Sequence, residues 1–188
     1  MKAISKSLKK NDPNHLNLGI RYGYIEQLDD ELLRISKESF DALSFNCYAL
    51  SPDHEKMNHA LEISGLPMII GEYHFGTVDR GLAQSLWQVN SQKERGDAFR
   101  YYTENAFAHR GLIGTGWFRW IDQNINGRTD GENYNCGFID VTDRPYPYMV
   151  DAAIKTAKSL YEIHSGTKTP FHQAPNAVGH SPIPDLWE

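Results

Sequence analysis

Four times in succession, an apolar stretch with strand-like alternation gives way to one with helical spacing, and this order restricts the fold more than any other feature. The first strand is expected over residues 15–22, where Leu16, Leu18 and Ile20 make an apolar face opposite Asn17, Gly19 and Arg21. The helix after it spans 27–39, with Leu28, Leu32 and Ile35 on one stripe. A second strand, 40–48, sets Leu43, Phe45 and Cys47 against Ala42, Ser44, Asn46 and Tyr48. Ser51-Pro52 opens the next helix, which carries Met57, Ala60 and Leu61 and stops at Gly65. A third strand occupies 66–76, and the capping-box pattern Ser91–Glu94 starts a helix bearing Ala98, Phe99, Tyr102 and Ala106. The fourth strand, 111–120, places Ile113, Thr115 and Trp117 on one side. Beyond a loop from 122 to 146, Pro147 opens a last helix with the stripe Val150, Ile154, Ala157 and Tyr161.

Strand–helix repetition of this kind calls for a parallel sheet with helices outside. An open doubly wound sheet would show near-continuous apolar strands and a glycine-rich phosphate turn. No G-x-G-x-x-G follows any strand here. The strands instead keep one face small and polar (Asn17, Gly19; Ala42, Ser44, Asn46), as a barrel interior near its mouth requires. Four units are half of an eight-stranded barrel, whose usual length is about 250 residues. The expected class is therefore α/β, a partial (β/α)8 barrel. Residues 1–166 would be its C-terminal half, and 167–188, with four prolines and no periodicity, an extended tail draped on the body.

Composition excludes some functions. A net charge of −5 gives no basic footprint for nucleic acid, and no apolar run approaches transmembrane length. The charged opening, 1–10, has no hydrophobic core and is not a secretory signal; Ile4 and Leu8, one turn apart, read as the last turns of an amphipathic helix. Cys47 and Cys136 are too few for a disulfide framework and read as free thiols.

The third strand holds the candidate chemistry. Alternation puts Met68, Ile70 and Glu72 on one side and Ile69, Gly71 and Tyr73 on the other. A carboxylate among core residues is either ion-paired or placed for a reaction, because burying it alone is costly.

Four segments carry a family resemblance: Asp12-Pro13-Asn14-His15-Leu16-Asn17-Leu18-Gly19, Asn46-Cys47-Tyr48, Gly71-Glu72-Tyr73-His74-Phe75-Gly76, and Trp117 through Asp130-Gly131-Glu132-Asn133-Tyr134 to Gly137-Phe138. Over residues 5–165 they resemble retaining glycoside hydrolases of clan A, and most of all the family 50 β-agarases. The resemblance implies that the four strands are the fifth to eighth of the barrel, that Glu72 is the nucleophile, and that Tyr48 hydrogen-bonds it. It implies that Trp117 floors the sugar site and that Asn46, His74, Arg21, Asp122 and Asn133 bind substrate. Trp87, Trp120 and Tyr134 would line outer subsites.

The family's second carboxyl is a Glu preceded by Asn at the end of the fourth strand, and no Asn-Glu lies upstream of Asp12. The chain is thus expected to begin in the following helix and to lack the acid/base. Its partners would be an agarose-like galactan and either the missing N-terminal half-barrel or a second copy, with no nucleic acid, membrane or cofactor. The parent enzyme would be secreted or periplasmic. Two alternatives stay open: a β-galactosidase or other clan A glycosidase, and a non-catalytic polysaccharide-binding module. The run from Asp122 to Gly127 begins like an EF-hand loop, but position twelve is Asn133 and no helix precedes it, so no metal is expected.

Overall fold

Residues 1–179 are described by a computed structural model. The elements are α1 (Lys2–Asn11), β1 (Arg21–Tyr22), a 3-10 turn (Ile25–Gln27), α2 (Asp30–Lys37), β2 (Leu43–Asn46), α3 (His54–Ser64), β3 (Met68–Tyr73), β4 (Trp87–Gln88), α4 (Gln92–Phe107), β5 (Leu112–Trp117), α5 (Pro147–His164) and β6 (Val178–Gly179). The chain divides into two compact units. One holds Met1–Cys47, Pro52–Glu72 and His109–Gly116, and the other Tyr48–Ser51, Tyr73–Ala108 and Trp117 onward. Among the described residues no helix is long and apolar enough to cross a membrane.

The first unit is built on a sheet of order β1-β2-β3-β5, parallel at β1/β2 and β2/β3. Leu43, Phe45, Met68, Ile70 and Leu112 are fully buried, as are Leu33 of α2 and Met57 of α3. The stripe of α2 is therefore rotated from the expected one: Leu33 and Ser36 are fully buried, while Leu32 and Ile35 are half-exposed. Helix α3 starts two residues later than expected. Asp53, not Ser51, accepts from the Glu55 and Lys56 N–H groups at 2.9 and 3.2 Å. Gly65 ends it at φ 66, a left-handed cap.

The expected strand over 15–22 shrinks to Arg21–Tyr22. Its backbone is used elsewhere: the Asn17 N–H donates to Asp41 Oδ2 at 2.6 Å, and the Asp41 N–H to the Asn17 carbonyl at 2.8 Å. Gly19 then turns at φ 76, where a Cβ would meet the Phe40 ring at 2.6 Å. Leu16, Leu18 and Ile20 are left 71, 46 and 48% exposed. Helix α1 forms, with Ile4 and Leu8 outward and Ser5 buried.

Between β3 and β5 the backbones approach closely. A Cβ on Gly116 would lie 2.6 Å from the Gly71 carbonyl oxygen. Gly116→Ala is expected to cost about 1–3 kcal/mol in denaturant unfolding. Gly114→Ala, whose nearest neighbours are Ile69 side-chain carbons at 3.7 Å, should be near neutral.

In the second unit α4 and α5 pack tightly, because a Cβ on Gly96 would lie 2.6 Å from the Tyr148 carbonyl. That closeness selects small residues. Helix α5 buries Met149, Ala152, Thr156, Ser159 and Ile163, and turns the expected stripe outward, leaving Ile154 49% and Tyr161 88% exposed. Thr156 Oγ1 donates to the buried Glu104 carboxylate of α4 at 3.0 Å. The other Glu104 oxygen accepts from the Phe171 N–H at 2.8 Å, which pins the segment after α5. That segment ends with β6 antiparallel to β4. The rest of the expected tail, 180–188, lies outside the described residues.

Candidate active site

A β-bulge decides where Glu72 points. Phe45 pairs with Ile70, but Asn46 pairs with Glu72, so Gly71 is an extra residue on β3. A Cβ on Gly71 would face Arg21 Cδ at 2.5 Å and Asn46 Oδ1 at 3.2 Å. The Glu72 carboxylate is on the same two residues: Arg21 Nη2 lies 2.9 Å from Oε1, and Asn46 Nδ2 donates to Oε2 at 3.2 Å. Gly71 and Glu72 therefore share a side. This corrects the expected alternation, in which Glu72 sided with Met68 and Ile70. An interior strand glycine is the sequence signal for such a bulge.

Three strand ends thus converge on one carboxylate, from β1, β2 and β3. Tyr24, just past β1, is also close: burial raises its phenol pKa, and the charges of Glu72 and then Glu26 add to the rise. The ion pair itself stabilises little. Arg21 is 53% and Glu72 18% exposed at the side chain, and pairs so open to water contribute about 0–1 kcal/mol. What the arrangement offers is an oriented carboxylate, suited to nucleophilic attack or proton abstraction.

In the second unit His74 is 1% exposed. Its Nε2 accepts from the Leu86 N–H at 3.1 Å, so the neutral ring carries its proton on Nδ1. Tyr48 and Tyr134 meet it edge-on at 5.0 and 5.7 Å, and Phe118 lies at 6.0 Å. Burial, helped by the Arg95 charge and opposed by the Phe118 backbone, pushes its pKa down to about 3. The ring is enclosed and organises aromatics. A pH effect follows. The unfolded histidine takes a proton near pH 6.5 and the folded one only near 3. Stability is fully present above 6.5 and lost as pH falls from there toward 3, at up to roughly 1.4 kcal/mol per pH unit. Denaturation at stepped pH should show that slope in the native sequence and a flatter one in His74→Gln.

Trp117 donates its indole N–H to the Cys136 carbonyl at 2.7 Å and meets Tyr73, Phe99 and Phe138 edge-on at 5.2, 5.5 and 5.8 Å. Those contacts hold it as a packed ring. Phe118, which sequence reasoning missed, is the neighbour of His74, with the Arg128 guanidinium 5.8 Å from its ring. Trp120 is 68% exposed and stacked on Phe138.

Asp122 holds a loop together. It is buried, and it accepts from Asn135 Nδ2 at 3.0 and 2.8 Å, from the Gly137 N–H at 2.7 Å and from the Tyr146 hydroxyl at 2.6 Å. Its acceptors serve its own loop. Asn133 likewise ties loops together, accepting from the Ala83 N–H at 3.2 Å and donating to the Ile125 carbonyl at 3.3 Å. Arg95, fully buried, completes this core by donating to the Asn135 and Gly137 carbonyls at 2.9 and 2.7 Å. Burial, with Asp122 next, pushes the Cys136 thiol up to about 12. Among the described residues no three metal-ligating side chains converge.

No protein-family model matches the chain. Beta-agarase A of Vibrio sp. (strain JT0107) is 37% identical over 165 residues, 84% of this chain and 16% of that protein. The solved agarase AgWH50C superposes with a TM-score of 0.80 at 37% identity, over 86% of this chain and 25% of that one. PfGH50B does so with a TM-score of 0.78 at 36% identity, over 86% and 24%. Over most of its own length the chain is similar to the family 50 β-agarases. It spans about a sixth of the curated relative's length, 16%. In this chain a carboxylate, that of Glu72, stands near the C-terminal end of an inner strand of the parallel sheet.

Proposed function

We propose that this chain supplies the fifth to eighth strands of a (β/α)8 barrel in a retaining, β-agarase-like glycoside hydrolase, with Glu72 as nucleophile. The observation that carries the reading is the bulge, which turns Glu72 toward the Arg21 and Asn46 strand ends. In a retaining reaction the carboxylate attacks the anomeric carbon while a second carboxyl, about 5–5.5 Å away, protonates the leaving oxygen. That second carboxyl would come from outside these 188 residues, which contain no Asn-Glu dipeptide. The loop carboxylates are already engaged: Asp79 by Gln92, Asp130 by Arg128, and Glu132 by Gln123 and Arg128. Asn46 Oδ1 is buried without a protein partner and suits a sugar hydroxyl. The substrate would be a β-linked galactan of the agarose kind. The sheet edges β1 and β5 suit a complementary half-barrel.

A substrate with a good leaving group needs no proton donor, so this chain can be tested alone. Incubation with 2,4-dinitrophenyl 2-deoxy-2-fluoro-β-D-galactopyranoside should join one fluorogalactosyl group to Glu72 and release dinitrophenolate, read by peptide mass. Binding of agarose oligosaccharide with no adduct on Glu72 would favour the non-catalytic module instead.

A further inference from the structure

Arg21 and Gly71 form a device that a nucleophile alone does not require. Atoms added at position 71 would fall 2.5 Å from Arg21 Cδ and 3.1 Å from Cγ, so the arginine stem lies in the notch left by a missing side chain. From that notch Nη2 reaches Glu72 Oε1 at 2.9 Å, while Asn46 Nδ2 holds Oε2 at 3.2 Å. Each carboxylate oxygen thus takes a donor from a neighbouring strand. Arg21 comes from β1 and Asn46 from β2, so the carboxylate is fixed from two different strands. The openness of the pair argues against a stabilising purpose. Geometry is the better account, because a misplacement of order 1 Å at a reacting group costs about a hundredfold in rate.

We propose that Arg21 is a positioning residue, which fixes the Glu72 carboxylate for attack from a seat that only glycine at position 71 leaves open. The proposal rests on the reading of Glu72 as nucleophile, and it concerns how that nucleophile is held. Lysine at position 21 would keep a charge but not the planar fork.

The test compares the unmodified 188-residue chain with Arg21→Ala, Arg21→Lys and Gly71→Ala in two measurements. The first is the ordering of the Glu72 side chain, read by carbon-13 relaxation of its methylene groups. It should fall in Arg21→Ala and Gly71→Ala alike while the fold, checked by backbone amide shifts away from the site, persists. The second is labelling by the fluorogalactoside. Its limiting rate should fall roughly 100-fold in both variants, with the half-saturating concentration changed little. Added guanidinium should restore Arg21→Ala in part and leave Gly71→Ala unrestored, because the new methyl group fills the seat. Unchanged Glu72 ordering in both variants overturns the proposal, whatever the labelling does. Lost ordering with labelling at the unmodified rate overturns it too, because the contact would then be structural only. Lost ordering in a chain that never labels supports the seat for Arg21 and removes the nucleophile reading alone.

Discussion

Asp122→Ala is expected to destabilise the second unit by about 3–5 kcal/mol, the range seen when one partner of a buried charged network is removed. The carboxylate is 4% exposed and accepts from three groups: the Asn135 amide, the Gly137 N–H and the Tyr146 hydroxyl. Deleting it strands these donors in the interior, at roughly 1–3 kcal/mol for each one left unsatisfied. It also removes the negative charge that opposes the cost of burying Arg95. Asp122→Asn keeps the shape but replaces an acceptor oxygen with an amide that faces donors, so it should be intermediate. Thermal and urea melts read the effect directly. If Asp122→Ala melts like the native sequence but loses affinity for agarose oligosaccharide, Asp122 returns to the substrate-binding group.

The family resemblance and the alternation of strand and helix were both readable from residues, because they depend on local pattern. Side-chain direction was less readable. Strict alternation set Glu72 beside Met68 and Ile70, yet the glycine before it marked a bulge that reverses it. The stripe of α5 was misread for a different reason. Val150, Ile154 and Tyr161 are the more apolar choice, but close approach to Gly96 of α4 favours the small face of Ala152, Thr156 and Ser159. In the first strand, Leu16, Leu18 and Ile20 alternate as a paired strand would, while Asp41 diverts the backbone at Asn17. Asp122, His74 and Asn133 share one lesson. Their polar side chains read as ligands from the sequence, and the structure adds partners inside the protein: Asp122 accepts from Asn135, His74 Nε2 from Leu86 and Asn133 from Ala83. Long-range partners decide such cases, and a sequence does not display them.

The second large effect concerns the chemistry. With 2,4-dinitrophenyl β-D-galactopyranoside this chain is expected to give a burst of about one dinitrophenolate per molecule and then a slow phase. In the proposed reading the first step needs only the Glu72 carboxylate: its oxygen bonds to the anomeric carbon as the phenolate leaves. The second step needs a base to activate water, and in the proposed reading that base is a second carboxyl from outside these residues. Azide, an anion that needs no base, should speed the slow phase and give β-galactosyl azide after two inversions. Glu72→Ala should lose the burst, with phenolate release slowed roughly 10,000-fold, about 5.5 kcal/mol of transition-state stabilisation. Azide would then attack the substrate itself from the face Glu72 had occupied, and the product becomes α-galactosyl azide. The anomeric configuration therefore reports which group formed the first bond, independently of rate. A burst of undiminished size in Glu72→Ala, or β-azide from it, would place the nucleophile elsewhere.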